Sequence, residues 1–156
     1  RDKMSPPRYQ SILDSQIPAI RLPNGQGSVR VIAGEFDGTA GPADTFTPMN
    51  VWDLRLTSEQ PIDLIVPDGH NTLLAVLKGS VRVSDSETIN AAEVGVFDRI
   101  GDCIHMDSAP NTTALLLCGE PIDEPIAGSG PFVMNTAEEI RQAMSDYQSG
   151  QMGKIS

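Results

Sequence analysis

Short apolar segments separated by turn residues recur along most of this chain, and their spacing restricts the fold more than any other feature. In Val51–Leu56 the apolar residues alternate with Asp53 and Arg55, which predicts a strand with one buried face. We expect about nine such strands: Ser28–Phe36, Val51–Leu56, Ile62–Val66, Thr72–Leu77, Ser80–Ser84, Ile89–Ala91, Val94–Asp98, Cys103–Met106 and Thr112–Cys118. Strands do not alternate with helices, so an all-β sandwich or barrel is expected rather than a parallel sheet.

The charge of the chain excludes some classes of partner. Its 156 residues suffice for one domain with a core, and they carry 21 acidic and 11 basic residues, a formal net charge of −10. Nucleic acid and anionic membranes both require a basic face, so we expect neither as a partner. No apolar run is long enough to span a membrane, and no signal-peptide pattern opens the chain.

The two cysteines indicate a reducing compartment. Cys103 and Cys118 each lie in an apolar stretch, and their spacing is not that of a metal-binding pair. We expect both to be reduced, buried thiols of a cytoplasmic protein.

The chain ends in one predicted amphipathic helix. Thr136-Ala137-Glu138-Glu139 is a capping box, and Gly150 provides a stop signal. An apolar stripe follows the cap at helical spacing: Ile140, Ala143, Met144 and Tyr147. This stripe covers either the edge of its own β domain or a surface of another domain. The preceding segment contains Pro121, Pro125 and Pro131 and is predicted to be a loop, and Lys78-Gly79 is predicted to be the corner of a hairpin.

Three long strings resemble the pirin family. They are KMSPPRYQ at Lys3–Gln10, VRVIAGEFDGTAGP at Val29–Pro42, and GEPIDEPIAGSGPFVMNTAEEIRQAMSDYQSG at Gly119–Gly150. Pirins are proteins with two cupin domains, and this chain is similar only to the second half. Since the chain also begins with Arg1 rather than Met, we expect a fragment or a cleavage product.

The resemblance implies an all-β fold, a cupin-type jelly-roll or β-sandwich barrel with one C-terminal amphipathic helix. The expected division is an inter-domain crossover arm over residues 1–24, a C-terminal cupin barrel over 25–130, and a closing loop with the helix over 131–156.

A metal-binding cupin uses three imidazoles and a carboxylate, a set suited to a divalent ion such as Fe(II). This chain offers only His70 and His105. The second imidazole of a His-x-His pair is missing after His70, and 71–77 contains no acid. We therefore expect no cofactor and no catalytic residue in this chain. His105 is expected to be a barrel residue hydrogen-bonded to a neighbour, and His70 a turn residue near Asp68.

The resemblance places the metal, iron or another divalent transition ion, in the N-terminal cupin, which this chain does not include. It implies a whole protein similar to metal-dependent quercetin 2,3-dioxygenases, with this half as a non-metal domain that has no turnover alone. The alternative is a protein-binding module of a pirin-type transcriptional cofactor or redox sensor without turnover.

The expected partner is the N-terminal cupin half, on the same or a separate chain, or a second copy of this chain. Apolar residues on the arm and near the helix are predicted to form that interface, because a cupin barrel already fills its interior from its own strands. They are Tyr9, Ile12, Leu13, Phe132, Val133, Met134, Ile140, Met144 and Tyr147.

Overall fold

The computed structural model describes residues 2, 5, 8–85 and 87–152. Its strands are β1 Ala19–Arg21, β2 Gly27–Ala33, β3 Glu35–Phe36, β4 Thr39–Ala40, β5 Met49–Leu56, β6 Ile62–Ile65, β7 Asn71–Lys78, β8 Ser80–Arg82, β9 Thr88–Asn90, β10 Val94–Phe97, β11 Cys103–Ser108, β12 Thr112–Gly119, β13 Ala127–Ser129 and β14 Phe132–Met134. One α-helix, α1, spans Ala137–Gln148, and short 3-10 turns lie at Asp14–Gln16 and Pro23–Gly25. All nine predicted strands are present, and the all-β prediction is confirmed.

The chain divides into two compact units. One comprises the described residues between 8 and 121, and the other contains residues 122–152 together with Asp2 and Ser5. The sequence predicts a barrel that extends to residue 130, whereas the compact unit that contains α1 begins at Ile122. The predicted division stays a prediction, and the first stretch of the predicted arm lies largely outside the described residues.

The larger unit is a sandwich of two antiparallel sheets. One sheet has the order β1-β2-β5-β12-β7-β10, and the other has the order β6-β11-β8-β9. The core between them consists of the inward-facing residues of both sheets, and its largest fully buried side chains are Trp52, Leu54, Leu56, Leu64, Leu74, Met106 and Leu116. The alternation in β5 therefore predicted the buried face correctly, since Asp53 and Arg55 point away from the core.

The chain changes sheet at Gly79, where the sequence predicts a hairpin corner. That prediction is wrong, because β7 pairs with β10 and β12 whereas β8 pairs with β9 and β11. Gly79 has a φ of +78°, and a Cβ atom there would lie 2.3 Å from Thr112 Oγ1. Glycine is needed at this crossing for both its backbone conformation and its lack of a side chain.

The N-terminal arm lies on its own barrel as far as it is described. Arg8 forms an ion pair with Asp44 at 2.6 Å, and the Gln10 side-chain amide donates to the carbonyl of Pro42. Further along the chain, β1 forms an antiparallel pair with β2, in which Ala19 lies opposite Arg30. Backbone and side-chain hydrogen bonds thus attach the described part of the arm to the barrel of the same chain.

The smaller unit contains a hairpin and the helix. The prolines predict a loop before the helix, but β13 and β14 pair with Pro125 and Pro131 placed outside the paired residues. Thr136 caps α1 by accepting a hydrogen bond from the Glu139 amide, and the Glu139 carboxylate accepts from the Thr136 amide at 3.0 Å. The predicted capping box is confirmed, and α1 packs against both strands of the hairpin.

Candidate functional site

His105 lies on a strand of the smaller sheet, whereas His70 lies just before a strand of the larger one. His105 is on β11, and its Nδ1 is 2.5 Å from Asp63 Oδ1, which confirms that it hydrogen-bonds to a neighbour. The side chains of His105 and Asp63 are 71% and 63% exposed, so the pair lies on the outer face of the smaller sheet. This imidazole does not reach the barrel interior.

His70 lies beside a cysteine at the end of the larger sheet. It directly precedes β7, and its Nδ1 is 3.7 Å from Cys118 Sγ. The same sulfur accepts a hydrogen bond from the Thr72 hydroxyl at 3.4 Å, across the β7–β12 pair. As expected, His70 is a turn residue near Asp68, since its amide donates to the carbonyl of Pro67, and the Asp68 carboxylate accepts a hydrogen bond from the Gly101 amide. The cluster of His70, Thr72 and Cys118 was missed because strand pairing creates it.

A cavity of about 250 Å³ lies next to this cluster. It opens where β6 and β11 of one sheet approach β7 and β10 of the other. His70, Thr72, Asp98 and Cys103 provide its polar groups, and the rest of the wall is Val66, Phe97, Ile100, Gly101 and Ile104. A cavity of this size and lining admits water or a small molecule.

Neither cysteine is an activated nucleophile. Burial raises the pKa of the Cys118 thiol, and the hydrogen bond from Thr72 offsets only part of that effect. The pKa of the Cys103 thiol is also raised, first by loss of solvent and then by the negative charges of Asp63 and Asp102. An activated thiol has a lowered pKa, because reactivity requires the thiolate, and neither cysteine has such an environment. Cys118 is buried as expected, whereas the expectation for Cys103 is wrong because it is exposed.

The residues at the barrel mouth do not fit the ligand set of a metal-binding cupin. Thr72 stands where a second imidazole would follow His70, and the next inward-facing positions on β7 are Leu74 and Val76. The inward-facing residue of β11 nearest the cavity is Ile104. Within 8–85 and 87–152, no three His, Cys, Asp or Glu side chains are grouped as metal ligands would be.

The residues predicted to form an interface differ in their surroundings. Tyr9, Leu13, Val133 and Tyr147 are exposed, Ile12, Phe132, Met134 and Met144 are half-buried, and Ile140 is buried. The rings of Phe132 and Tyr147 meet edge to face with centroids 6.0 Å apart. Part of the stripe thus packs within this chain, and an interface role for the rest stays a prediction.

No helix in the described ranges is both long enough and apolar enough to cross a membrane.

Comparison with known proteins identifies the family. The model of the Pirin C-terminal cupin domain matches residues 51–153. A relative from Pseudomonas aeruginosa, called "Putative quercetin 2,3-dioxygenase", is 44% identical over 149 residues, which are 96% of this chain and 52% of the relative. A "Pirin-like protein" from Caulobacter vibrioides is 38% identical over 152 residues, covering 96% of this chain and 54% of the relative.

A solved structure shows the same fold. The crystal structure of quercetin 2,3-dioxygenase from Acinetobacter baumannii matches 99% of this chain and 54% of its own, with 43% identity and a TM-score of 0.90. The chain therefore spans about half the length of the relatives that it matches. The family match and the jelly-roll sandwich together show that the chain belongs to the pirin family and corresponds to its C-terminal cupin domain.

Proposed function

We propose that this chain is the metal-free half of a two-cupin protein whose other half holds a divalent ion and opens the ring of a flavonol with O₂. The observation that carries the proposal is the mismatch at the barrel mouth, where Thr72 and Ile104 line the cavity beside His70 and provide neither an imidazole nor a carboxylate. Relatives about twice as long, one of them a quercetin 2,3-dioxygenase by name, support the rest.

The role of this half is structural. Its interior is filled by large apolar side chains such as Trp52, Leu74 and Leu116, which are essentially inaccessible to solvent. A close-packed barrel of this kind is a rigid body that can support or cover a neighbouring site. Iron or another divalent transition metal in the other half would supply the activation of O₂ and flavonol.

A chimera tests where the metal binds. This chain would replace the matching segment of the Acinetobacter baumannii quercetin 2,3-dioxygenase, and quercetin consumption and bound metal would be measured together. We expect turnover and metal content to survive His70→Ala, His105→Ala and the double substitution, because neither imidazole belongs to a ligand set. Loss of the bound metal in any of these variants, with the fold intact by circular dichroism, would refute the proposal.

Metal content and activity of the isolated chain provide a second test of the proposal. After a chelator wash it should hold much less than one equivalent of iron, nickel, copper or zinc, and it should consume quercetin no faster than a boiled control. A tightly bound equivalent that disappears in His105→Ala would contradict this. A chimera that holds metal and binds a protein partner without any turnover would instead favour the regulatory binding module.

A further inference from the structure

The cavity at the barrel mouth has a polar floor that core packing does not require. Thr72 is only 3% exposed, and its hydroxyl donates to Cys118 Sγ, which is equally buried. The next inward-facing positions on the same strand, Leu74 and Val76, are apolar. Burying a polar side chain costs stability relative to an apolar one of the same size. The floor therefore indicates contact with something more polar than the core.

The floor also has hydrogen-bonding capacity that the chain does not use. Because the Thr72 hydroxyl donates to sulfur, its oxygen lone pairs remain available to a donor. His70 contacts the same sulfur through Nδ1 at 3.7 Å, and its Nε2 is bonded to none of the described residues. Both side chains are thus placed to meet a polar group that enters the cavity.

The charge at the opening favours a cation. Asp98 lines the cavity, and no described residue forms a hydrogen bond or an ion pair with its carboxylate. The two segments around the opening, 67–70 and 98–102, contain three acidic residues and one basic residue, Arg99. The Nε of Arg99 donates to Asn71 at 2.7 Å, and neither arginine nor lysine lines the cavity. A negative local potential attracts cations and repels anions.

The opening is formed before any ligand binds. The Gly101 amide donates to Asp68 Oδ1 at 2.8 Å, and the Gly69 amide donates to the carbonyl of Arg99 at 2.7 Å. The Val66 amide donates to the carbonyl of Asp102 at 2.9 Å. These hydrogen bonds join the two segments, so little conformational entropy is lost when the cavity is occupied.

The remaining wall is suited to an apolar group. Ile100 is 93% exposed at the rim, where a ligand could cover it, and Phe97 offers part of an aromatic ring. An aromatic face attracts both other rings and cations. The volume of about 250 Å³ equals that of about eight water molecules in the liquid, which is close to the size of one substituted aromatic ring.

We propose that this cavity binds a small organic ammonium ion whose apolar body is about the size of one aromatic ring. Asp98 and the Thr72 hydroxyl accept hydrogen bonds from the ammonium group, and Phe97, Ile100 and Ile104 contact the body. The site needs neither a metal nor the other cupin half, so it goes beyond the proposed function. It gives the metal-free barrel a ligand of its own.

A series of probes of similar shape and different charge tests the ligand class. Benzylamine, a cation at neutral pH, would be titrated into isotope-labelled chain and followed by amide chemical shifts. We expect saturable shifts confined to the segments around residues 66–72 and 97–104, with a dissociation constant of about 1 mM or tighter. Benzyl alcohol should bind at least about fivefold more weakly, because it lacks the charge, and benzoate should bind more weakly still.

Two results of this titration would overturn the proposal. One is benzoate binding as tightly as benzylamine, which would exclude selection for a cation. The other is the absence of any saturable shift up to about 10 mM benzylamine, which would leave the cavity without a ligand of this class.

Asp98→Asn tests the carboxylate, with Asp37→Asn as the matched control. Both side chains are exposed, so neither substitution should disturb the fold. Asp37 lies in the turn between β3 and β4, which contact β2, and two strands separate β2 from β7. Asp98→Asn should weaken benzylamine binding at least about fivefold, and Asp37→Asn less than about twofold, because salt screens distant charges. Equal weakening would show only general attraction to an acidic protein and would overturn the proposal.

Ile100→Ala tests the apolar part of the site. It should weaken benzylamine and benzyl alcohol by a similar factor, because it removes apolar contact and leaves the charge unchanged. Parent affinity for both probes would show that the body lies elsewhere and would contradict the assignment. These measurements use no metal and no turnover, so failure here is distinguishable from failure of the proposed function.

Discussion

Gly79 shows how one residue controls the path of the chain between the two sheets. Its φ of +78° lies in the left-handed region, and the space where a side chain would begin is occupied by Thr112. Thr112 is itself anchored, since its hydroxyl donates to the carbonyl of Ala109 at 2.7 Å. The neighbour therefore has little freedom to move aside.

We expect Gly79→Ala to destabilise the fold more than Gly69→Ala. Gly69 has a similar φ of +84°, but no atom lies within 4 Å of the place where its Cβ would be, so only the backbone cost of about 1–2 kcal/mol applies. Gly79→Ala adds a steric overlap worth about 1–3 kcal/mol. Urea denaturation of both variants would measure the difference. Equal free energies of unfolding would show that Thr112 accommodates a methyl group and that the crossing needs only the backbone conformation.

The helix α1 depends on interactions at its first turn. The Thr136 and Glu139 side chains satisfy backbone amides that the helix leaves unpaired, and Glu138 lies in the same turn. Glu138 also pairs with Arg141 at 2.5 Å. Acidic residues at this end interact favourably with the helix dipole. The helix is therefore supported locally, apart from its packing on the hairpin.

This support predicts that the start of α1 weakens in acid. The pKa of Glu138 lies below its usual value of 4.5, because its carboxylate accepts a backbone hydrogen bond and, secondarily, because Arg141 is close. A lowered pKa in the folded state stabilises the helix above pH 4.5, and this contribution is lost as the pH falls through the folded-state value. Backbone chemical shifts of α1, followed by NMR from neutral pH downwards, should show fraying below pH 4.5.

Glu138→Gln is the control for this effect. The variant should be slightly less helical at neutral pH and should lose less helix on acidification than the parent, because it has no carboxyl group to protonate. Identical pH profiles for the two proteins would show that Glu138 does not contribute.

The whole sandwich is stabilised by the layer between its sheets. Strand β7 shows which residues belong to this layer, since Leu74 faces the core whereas Leu77 on the same strand does not. The apolar layer is made of residues from nearly every strand of the two sheets. Removing one of its larger members leaves a cavity that rigid neighbours cannot fill.

Leu74→Ala should therefore cost about 2–5 kcal/mol of unfolding free energy, a large share of the stability of a domain of this size. Leu77→Ala removes the same atoms from a side chain that is 63% exposed, and its cost should stay near about 0.5 kcal/mol or below. Thermal and urea unfolding of the isolated chain would measure both. Comparable losses would indicate that Leu77 is already covered within the isolated chain, for example by self-association.

The sequence by itself determined the features that depend on near neighbours. The alternation in β5 placed Trp52, Leu54 and Leu56 in the core, and the capping box located the start of α1, because side-chain period and cap chemistry act over a few residues. The two-histidine count likewise follows from composition. These are local signals, and tertiary packing left them unchanged.

Only the tertiary structure decided what depends on strand pairing. It brought Thr72 to Cys118, which are 46 positions apart, and it placed His105 on the smaller sheet and His70 just before a strand of the larger sheet. It turned the predicted corner at Gly79 into a crossing between sheets, and it aligned Val96, Leu73, Leu117 and Val51 from four strands on the outward-facing side of the larger sheet. Register between distant strands is set by the packing of the whole core, so no short window of sequence contains it.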